Sequence, residues 1–322
     1  MKNNKPLSQL VQIVIIVPCY NEEASLPLLW KSLKPVIKSL DQYSFHLLLV
    51  NDGSTDGSQK IIDSMAKKDS RIHYIEFANN AGHQSALRAG INVSSAYDCA
   101  IMMDADLQHP PEMIPKMIQA WLKSSKIVQM VRNDSLKDTG FIKYATSKGY
   151  YWFINKISDL GLVYGASDFR LIDKSIIDIV VNSTENDLFL RGYFSWLKVN
   201  KTSIEYKPNE RVAGTSKYTF RKMIDLAANG VLQFSEKPLQ IAVSVGLVMA
   251  LLSFLYGLVL ILLYLLGDYT VSGWTSLMLV ILFCFGVNFI ILGIMGTYLA
   301  HSIRIQKQRP EYIIQSKKLP NM

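Results

Sequence analysis

Short apolar runs rich in β-branched residues recur along the N-terminal part of the chain, at Val11–Val17, Phe45–Val50, Arg71–Phe77, Ala100–Met103 and Ile127–Val131. Between them lie segments with helical spacing of apolar positions, about 23–39, 57–68, 83–94 and 111–124. Strands with little polar alternation, separated by helices, predict an α/β domain with a mostly parallel sheet covered on both faces. Ligands of such sheets bind beyond the carboxyl ends of the strands. Those strand ends hold most of this chain's Asn, Asp and Gly.

The C-terminal pattern is different. No charged residue lies between Lys237 and Asp268, nor between Asp268 and Arg304. The windows Leu239–Leu266 and Ser272–Ala300 each exceed the ~20 apolar residues that a bilayer-spanning helix needs, and so predict a transmembrane hairpin. Ahead of it, Phe220, Met223, Ile224, Ala227, Val231 and Phe234 share one helical face, with Lys217, Arg221 and Lys222 in the first turns. That pattern suits a helix lying in a lipid interface. Phe141–Leu160 interleaves aromatic residues with Lys143, Lys148 and Lys156, which fits an interfacial helix and a core helix equally.

Composition sharpens this division. A chain 49% hydrophobic and 19% charged is not a disordered one. Its 34 Lys+Arg exceed its 26 Asp+Glu, and the excess is local. Residues 201–222 hold six Lys/Arg against two Glu, and residues 302–322 hold five against one. Both segments flank the hairpin, so positive-inside bias places them and both termini in the cytoplasm. A nucleic-acid partner is not expected, because the basic charge is juxtamembrane and follows no nucleic-acid motif. Cys19, Cys99 and Cys284 are far apart and give no disulfide or zinc spacing, which fits a reduced cytosolic domain. Val11–Val17 is too short for a signal peptide and ends at Pro18.

Four polar loops follow four successive strands: Pro18-Cys19-Tyr20-Asn21-Glu22-Glu23, Asn51-Asp52-Gly53-Ser54-Thr55-Asp56-Gly57, Asn79-Asn80-Ala81-Gly82-His83-Gln84 and Asp104-Ala105-Asp106-Leu107-Gln108-His109-Pro110. Two carboxylates two residues apart repel unless a cation lies between them. Hard cations such as Mg2+ or Mn2+ take carboxylates together with phosphate oxygens, and Gln108 can supply a further oxygen. His109, beside two prolines, is expected to pack the loop rather than bind metal. The chain has no P-loop, and no Gly-x-Gly-x-x-Gly follows its first strand.

As a set, these motifs resemble the family 2 glycosyltransferases of GT-A (Rossmann-like) fold. Within them the chain is most similar to polyprenyl-phosphate sugar synthases, relatives of dolichyl-phosphate mannose synthase. Asp168-Phe169-Arg170-Leu171, Leu190-Arg191-Gly192, Arg211-x-x-Gly214-x-Ser216-Lys217-Tyr218 and the hairpin resemble the bactoprenol (undecaprenyl-phosphate) glucosyltransferase branch. The resemblance implies a cytosolic GT-A domain over 1–215, an amphipathic juxtamembrane helix over 216–237, two spans within 238–301 (about 239–266 and 272–300), and a basic cytosolic tail over 302–322. It implies that Pro18, Tyr20, Glu22, Asp52, Gly82, Gln84 and Asp104 bind a UDP-sugar, with Arg88 a weaker candidate. Asp106 and Gln108 would hold Mg2+ or Mn2+, while Arg132, Arg170, Arg211, Ser216 and Lys217 would bind the phosphate of undecaprenyl phosphate. Asp104 and Asp168 would be catalytic, Asp168 by positioning Arg170 or taking up the last proton rather than as an obligatory general base. One departure is Asn51, where the family pattern has a second aspartate.

The expected activity is inverting transfer of a hexose, glucose by family weight, at the bacterial cytoplasmic membrane for cell-envelope glycosylation. Membrane lipid is an implied partner, and so are a flippase and a downstream glycosyltransferase. Gly286, Gly293 and Gly296 would let copies pack through the membrane helices. A polysaccharide synthase would add a Gln-x-x-Arg-Trp motif and more spans, which this chain lacks. A catalytically silent membrane subunit would have no need of Asp104, Asp106, Asp168 and Arg211.

Overall fold

The structure, a computed structural model, describes residues 10–133, 155–156, 161, 163–183, 185, 188–209, 235–266, 273–307 and 309–320. The described residues fall into two compact units, one within 1–153, 160–220 and 310–322, the other within 154–159 and 221–309. The expected amphipathic helix at 216–237 and the Phe141–Leu160 candidate lie almost entirely outside the described residues.

Among the described residues of the first unit, each strand and helix expected between residues 11 and 131 is present. β1 (Val11–Cys19), β2 (Tyr43–Asn51), β3 (Ile72–Phe77), β4 (Cys99–Met102) and β5 (Ile127–Arg132) alternate with α1 (Ser25–Lys38), α2 (Ser58–Lys68), α3 (His83–Asn92) and α4 (Ile114–Leu122). Three more strands complete the sheet: β6 (Ala166–Asp173), β7 (Lys201–Tyr206) and β8 (Ile314–Lys318). Two further helices, α5 (Lys174–Val181) and α6 (Leu190–Trp196), lie between β6 and β7. The order is β7-β5-β6-β4-β1-β2-β3-β8. β1 pairs in parallel with β2 and β4, as β2 does with β3 and β5 with β7. β6 runs antiparallel between β4 and β5, and β8 runs antiparallel along β3.

Ile13 through Val17 are all 0% exposed, which is why β1 reads as an unbroken apolar run. Ile13, Ile15 and Val17 join Leu26, Leu29 and Leu33 of α1 and Ile114, Met117 and Ile118 of α4 in one core. Each such side chain contributes roughly 1.5–3 kcal/mol by leaving water. On the opposite face α3 lies so close to the sheet that a Cβ at Gly90 would meet Ile16 Cγ2 at 2.3 Å.

The second unit contains α7 (Lys237–Leu265) and α8 (Trp274–Gln306). Both are long and apolar enough to cross a membrane, and only 6% and 0% of their most apolar windows are buried. A soluble core helix of that length would be mostly buried. Within this unit Tyr298 donates its hydroxyl to the Ser235 carbonyl oxygen at 2.6 Å.

β8 comes from the segment read in sequence as a basic tail. Only Ile314 in it is apolar, so it has no periodicity to reveal it. Main-chain pairing with β3 holds it, along with Ser316 on Glu76 and Lys318 on the Ala66 carbonyl.

Candidate active site

The four polar loops emerge at the carboxyl edge of the parallel strands; the first three are hydrogen-bonded in sequence, and the fourth faces the third through Asp104 and His83. Asn21 accepts the Thr55 amide at 2.9 Å, and Glu23 accepts that of Gly57 at 2.8 Å. Asn21 has φ of 56°, a left-handed conformation that asparagine tolerates better than most residues. Glu22 takes the Ser25 hydroxyl at 2.6 Å where α1 begins. Pro18 is buried at the end of β1, and Tyr20 is half-buried just beyond it.

The second loop explains the departure at position 51. Asn51 Oδ1 accepts both the amide and hydroxyl of Ser54, while Nδ2 donates to Gln59 at 2.9 Å. An aspartate there would lack the donor. Asp52 is 3% exposed. Its carboxylate accepts the Ala81 amide at 2.7 Å, the Gly82 amide at 3.0 Å and Asn80 Nδ2 at 3.0 Å. Burial raises its pKa against the pull of those amides. Gly53, at φ 65°, passes so near the third loop that a Cβ would lie 2.5 Å from the Asn79 carbonyl carbon.

Gly82, at φ 98°, turns the chain into α3 and delivers His83 and Gln84. His83 Nε2 lies 3.2 Å from Asp168 Oδ2 and 3.6 Å from Asp104 Oδ1. Arg191, on α6, grips Asp168 with two bonds of 2.8 and 2.7 Å. Gln84 Oε1 accepts the Leu190 amide at 3.2 Å, which joins α3 to the start of α6. Asp168 is 5% exposed, and burial alone would raise its pKa. The Arg191 charge and bonds, with those of His83, outweigh burial and hold the carboxyl well below its usual range. For His83 burial opposes the charged ring, but Asp168 and Asp104 prevail and its pKa is raised.

The sequence leads one to expect Asp168 to position Arg170; the bonds seen at its carboxylate come from other residues. The two alternate along β6, but the carboxylate is taken by Arg191 and His83. Arg170 is 1% exposed, donates to the Ser167 carbonyl at 3.0 Å and lies 4.9 Å over the Phe194 ring. Arg132 is half-buried at the end of β5, where its amide donates to Gly165. Arg211, Ser216 and Lys217 lie outside the described residues. Arg88 is buried within the fold.

His109 packs the loop as expected. It stacks on Phe169 at 4.8 Å and accepts the Asp104 amide at Nδ1. Asp106 Oδ1 accepts the Gln108 amide at 3.1 Å across Leu107, whose φ of 65° costs on the order of 1 kcal/mol. Asp104 Oδ1 is buried without a hydrogen-bond partner. Among the described residues no three His, Cys, Asp or Glu converge as a protein-only metal cage. Mg2+ or Mn2+ bound with substrate phosphates needs only one or two carboxylates. The half-buried pair, with one unsatisfied oxygen, fits that mode.

Sequence reasoning passed over His83 and gave Arg191 no role. His83 begins a helix in a polar loop and looks like turn chemistry, whereas its partner Asp168 is 85 positions away.

The family model described as glycosyl transferase family 2 matches residues 14–180. An uncharacterised glycosyltransferase of Bacillus subtilis is 36% identical over 96% of this chain and 95% of its own. A bactoprenol glucosyl transferase of Shigella phage SfX is 34% identical over 96% of this chain and 100% of its own. Among solved structures, a mannosyltransferase of Pyrobaculum calidifontis in complex with GDP-Man and Mn2+ aligns at TM-score 0.48. Its identity is 14%, over 70% of this chain and 64% of that one.

Proposed function

The chain belongs to glycosyl transferase family 2 and is a glycosyltransferase of GT-A fold, and from that premise we propose that it moves a hexose from a UDP-sugar to undecaprenyl phosphate. The observation that carries this reading is the convergence of Asp104, His83, Asp168 and Arg191 at one sheet edge, in a chain that also bears two long apolar helices. Near full-length likeness to bactoprenol glucosyl transferases supports the acceptor class, and their name favours glucose.

On this reading Pro18, Tyr20, Glu22 and Asp52 surround the uridine, Asp52 also by shaping the 80–82 loop. Gly82, Gln84 and Asp104 line the sugar-diphosphate. Asp106 and Gln108 would hold Mg2+ or Mn2+, which when bound neutralises the departing diphosphate as a Lewis acid. The acceptor phosphate has a second pKa of about 6 and is largely ionised at neutral pH. Removing its proton is therefore not the obstacle; bringing a dianion beside a diphosphate is. Arg132, Arg170, Arg211, Ser216 and Lys217 answer that need, and Arg191 joins them. Asp168 anchors Arg191 and His83 and is too weakly basic to serve as the base. A phosphate oxygen forms its bond to the anomeric carbon as the bond to UDP breaks on the opposite side. One such displacement inverts the centre and gives a β-linked product from an α-linked donor.

The chain leaves the sheet unit before α7 and rejoins it after α8. That supports two spans in a bacterial cytoplasmic membrane, with the catalytic unit and both termini cytoplasmic. Self-association through α8, and a flippase and a downstream glycosyltransferase acting on the product, complete the reading. The test supplies purified full-length protein with Mg2+ or Mn2+, radiolabelled UDP-sugars and undecaprenyl phosphate. Lipid-extractable label is expected, most with UDP-glucose; no label with any UDP-sugar defeats the proposal.

A further inference from the structure

The segment that follows α8 in sequence does more than extend the sheet edge. Tyr312 stacks flat on Phe77, with ring centroids 4.7 Å apart and planes 7° from parallel. Its hydroxyl accepts Asn92 Nδ2 at 3.1 Å, at the far end of α3. The Ile313 carbonyl accepts the Ala78 amide at 2.9 Å. Beside them Glu311, 7% exposed, takes the Ser85 hydroxyl at 3.2 Å and faces Arg88 Nη1 at 3.4 Å. Ser85, Arg88 and Asn92 all belong to α3, so three side chains of one helix face are held by two consecutive residues of this segment.

Arg88 is the junction. It is also 7% exposed, and it donates to the Ser183 and Glu185 carbonyls as well as pairing with Glu311. Those carbonyls lie in the connection between α5 and α6, two and four residues past the end of α5. Arg88 thus ties α3 to the connection that leads into α6, and both helices reach Asp168: α3 through His83 and Gln84, α6 through Arg191, with Gln84 also bonded to the Leu190 amide. A buried guanidinium left with carbonyl dipoles alone is poorly compensated, and breaking a buried pair by removing one partner is strongly destabilising locally. Among the described residues, Glu311 supplies the full negative charge that faces Arg88.

We propose that Glu311 is a positioning residue for the transfer reaction, acting through Arg88 to hold α3 and the connection leading into α6 in register around Asp168. The inference rests on the glycosyltransferase reading above. It assigns to the segment after the second apolar helix a part in catalysis, although none of that segment touches the reacting groups.

The test uses the full chain in lipid nanodiscs, with kcat and KM for UDP-glucose and for undecaprenyl phosphate, thermal melting, and amide hydrogen exchange of residues 83–92. Glu311→Gln keeps the shape and removes the charge. It is expected to lower kcat at least tenfold, leave KM for the lipid within twofold, and speed exchange in 83–92. Glu311→Asp is expected to recover a substantial part of kcat. Ser316→Ala and Lys318→Ala loosen the same segment without touching Arg88, and should keep kcat within twofold. The proposal is overturned if Glu311→Gln retains wild-type kcat and exchange. It is equally overturned if the two control variants lose as much kcat as Glu311→Gln does, since the segment would then act only as a brace. Should Glu311→Gln not accumulate as folded protein, Glu311→Asp decides: slower turnover with an unchanged melting temperature supports positioning, and wild-type turnover refutes it. A wild-type protein that transfers no sugar would defeat the functional reading, while hydrogen exchange would still read the hold of Glu311 on α3.

Discussion

Asp168 is a carboxylate with its options closed. Arg191 holds it with two bonds, and His83 lies within 3.2 Å. Changing it to asparagine leaves Arg191 beside a neutral amide in a confined site. We expect Asp168→Asn to lower kcat at least a hundredfold and cost about 3 kcal/mol of stability, the scale of a broken buried pair. The pH dependence has a definite sign. A carboxyl held below its ordinary pKa of 3.8 stabilises the fold above that value and loses its contribution as pH falls through the folded pKa. Melting curves between pH 2 and 7 should show this loss in the wild type below about pH 4, and a flatter acid limb in Asp168→Asn. Residues of this kind were half legible in the sequence. Asp104, Asp106 and Asp168 lie in motifs, but the ring and guanidinium that bind Asp168 come from separate elements. Only folding brings His83 and Arg191 together.

At the scale of elements, legibility followed hydrophobic burial. β1 to β5 are buried and apolar, and their alternation with helices announces the parallel sheet. β6 carries Asp168 and Arg170 inward, and β7 is an exposed, polar edge strand. β8 has almost no apolar content. These three are set by pairing partners and by charge, which local pattern does not encode. Helix α3 depends on close approach to the sheet as much as on its own sequence. A methyl at Gly90 would press on Ile16 Cγ2 at 2.3 Å, with Val50 Cγ2 at 3.4 Å. Gly90→Ala should therefore push α3 outward, lower stability by about 1–3 kcal/mol as overpacking does, and reduce kcat by displacing His83 and Gln84. Chemical denaturation and steady-state kinetics on the same preparation check both effects. A variant with unchanged stability and kcat would mean that the helix has slack.

Considered whole, the molecule distributes its charge by location. Arg304, Lys307 and Arg309 lie next to the second apolar helix, whereas Lys317 and Lys318 belong to the sheet. If both ends of the hairpin face one side, a single cysteine near residue 320 should react with an impermeant reagent from the same side as one at an exposed sheet-unit position. A cysteine in the 267–272 link should react only from the opposite side. Lys318 has a second effect. His46 and His73 stack with Nδ1 and Nε2 3.0 Å apart. Burial first, then the His46 ring and Lys318, lower the His73 pKa from 6.5 to about 4. Between those values the unfolded chain binds a proton that the folded one refuses, so stability falls as pH drops from 6.5 towards 4. His73→Phe should flatten that interval in thermal melts, and an unchanged slope would assign it elsewhere.

The position of β8 in the chain also orders events during synthesis. It is made only after both apolar helices have been synthesised, so until then the edge of β3 is bare and Arg88 lacks Glu311 opposite. An open strand edge is a hazard for mispairing. A nascent chain at that stage already displays its Asp-x-Asp loop, but α3 is still unbraced. Competence to transfer sugar is thereby withheld until the hairpin has been made, and a polypeptide that stalls within it stays inactive.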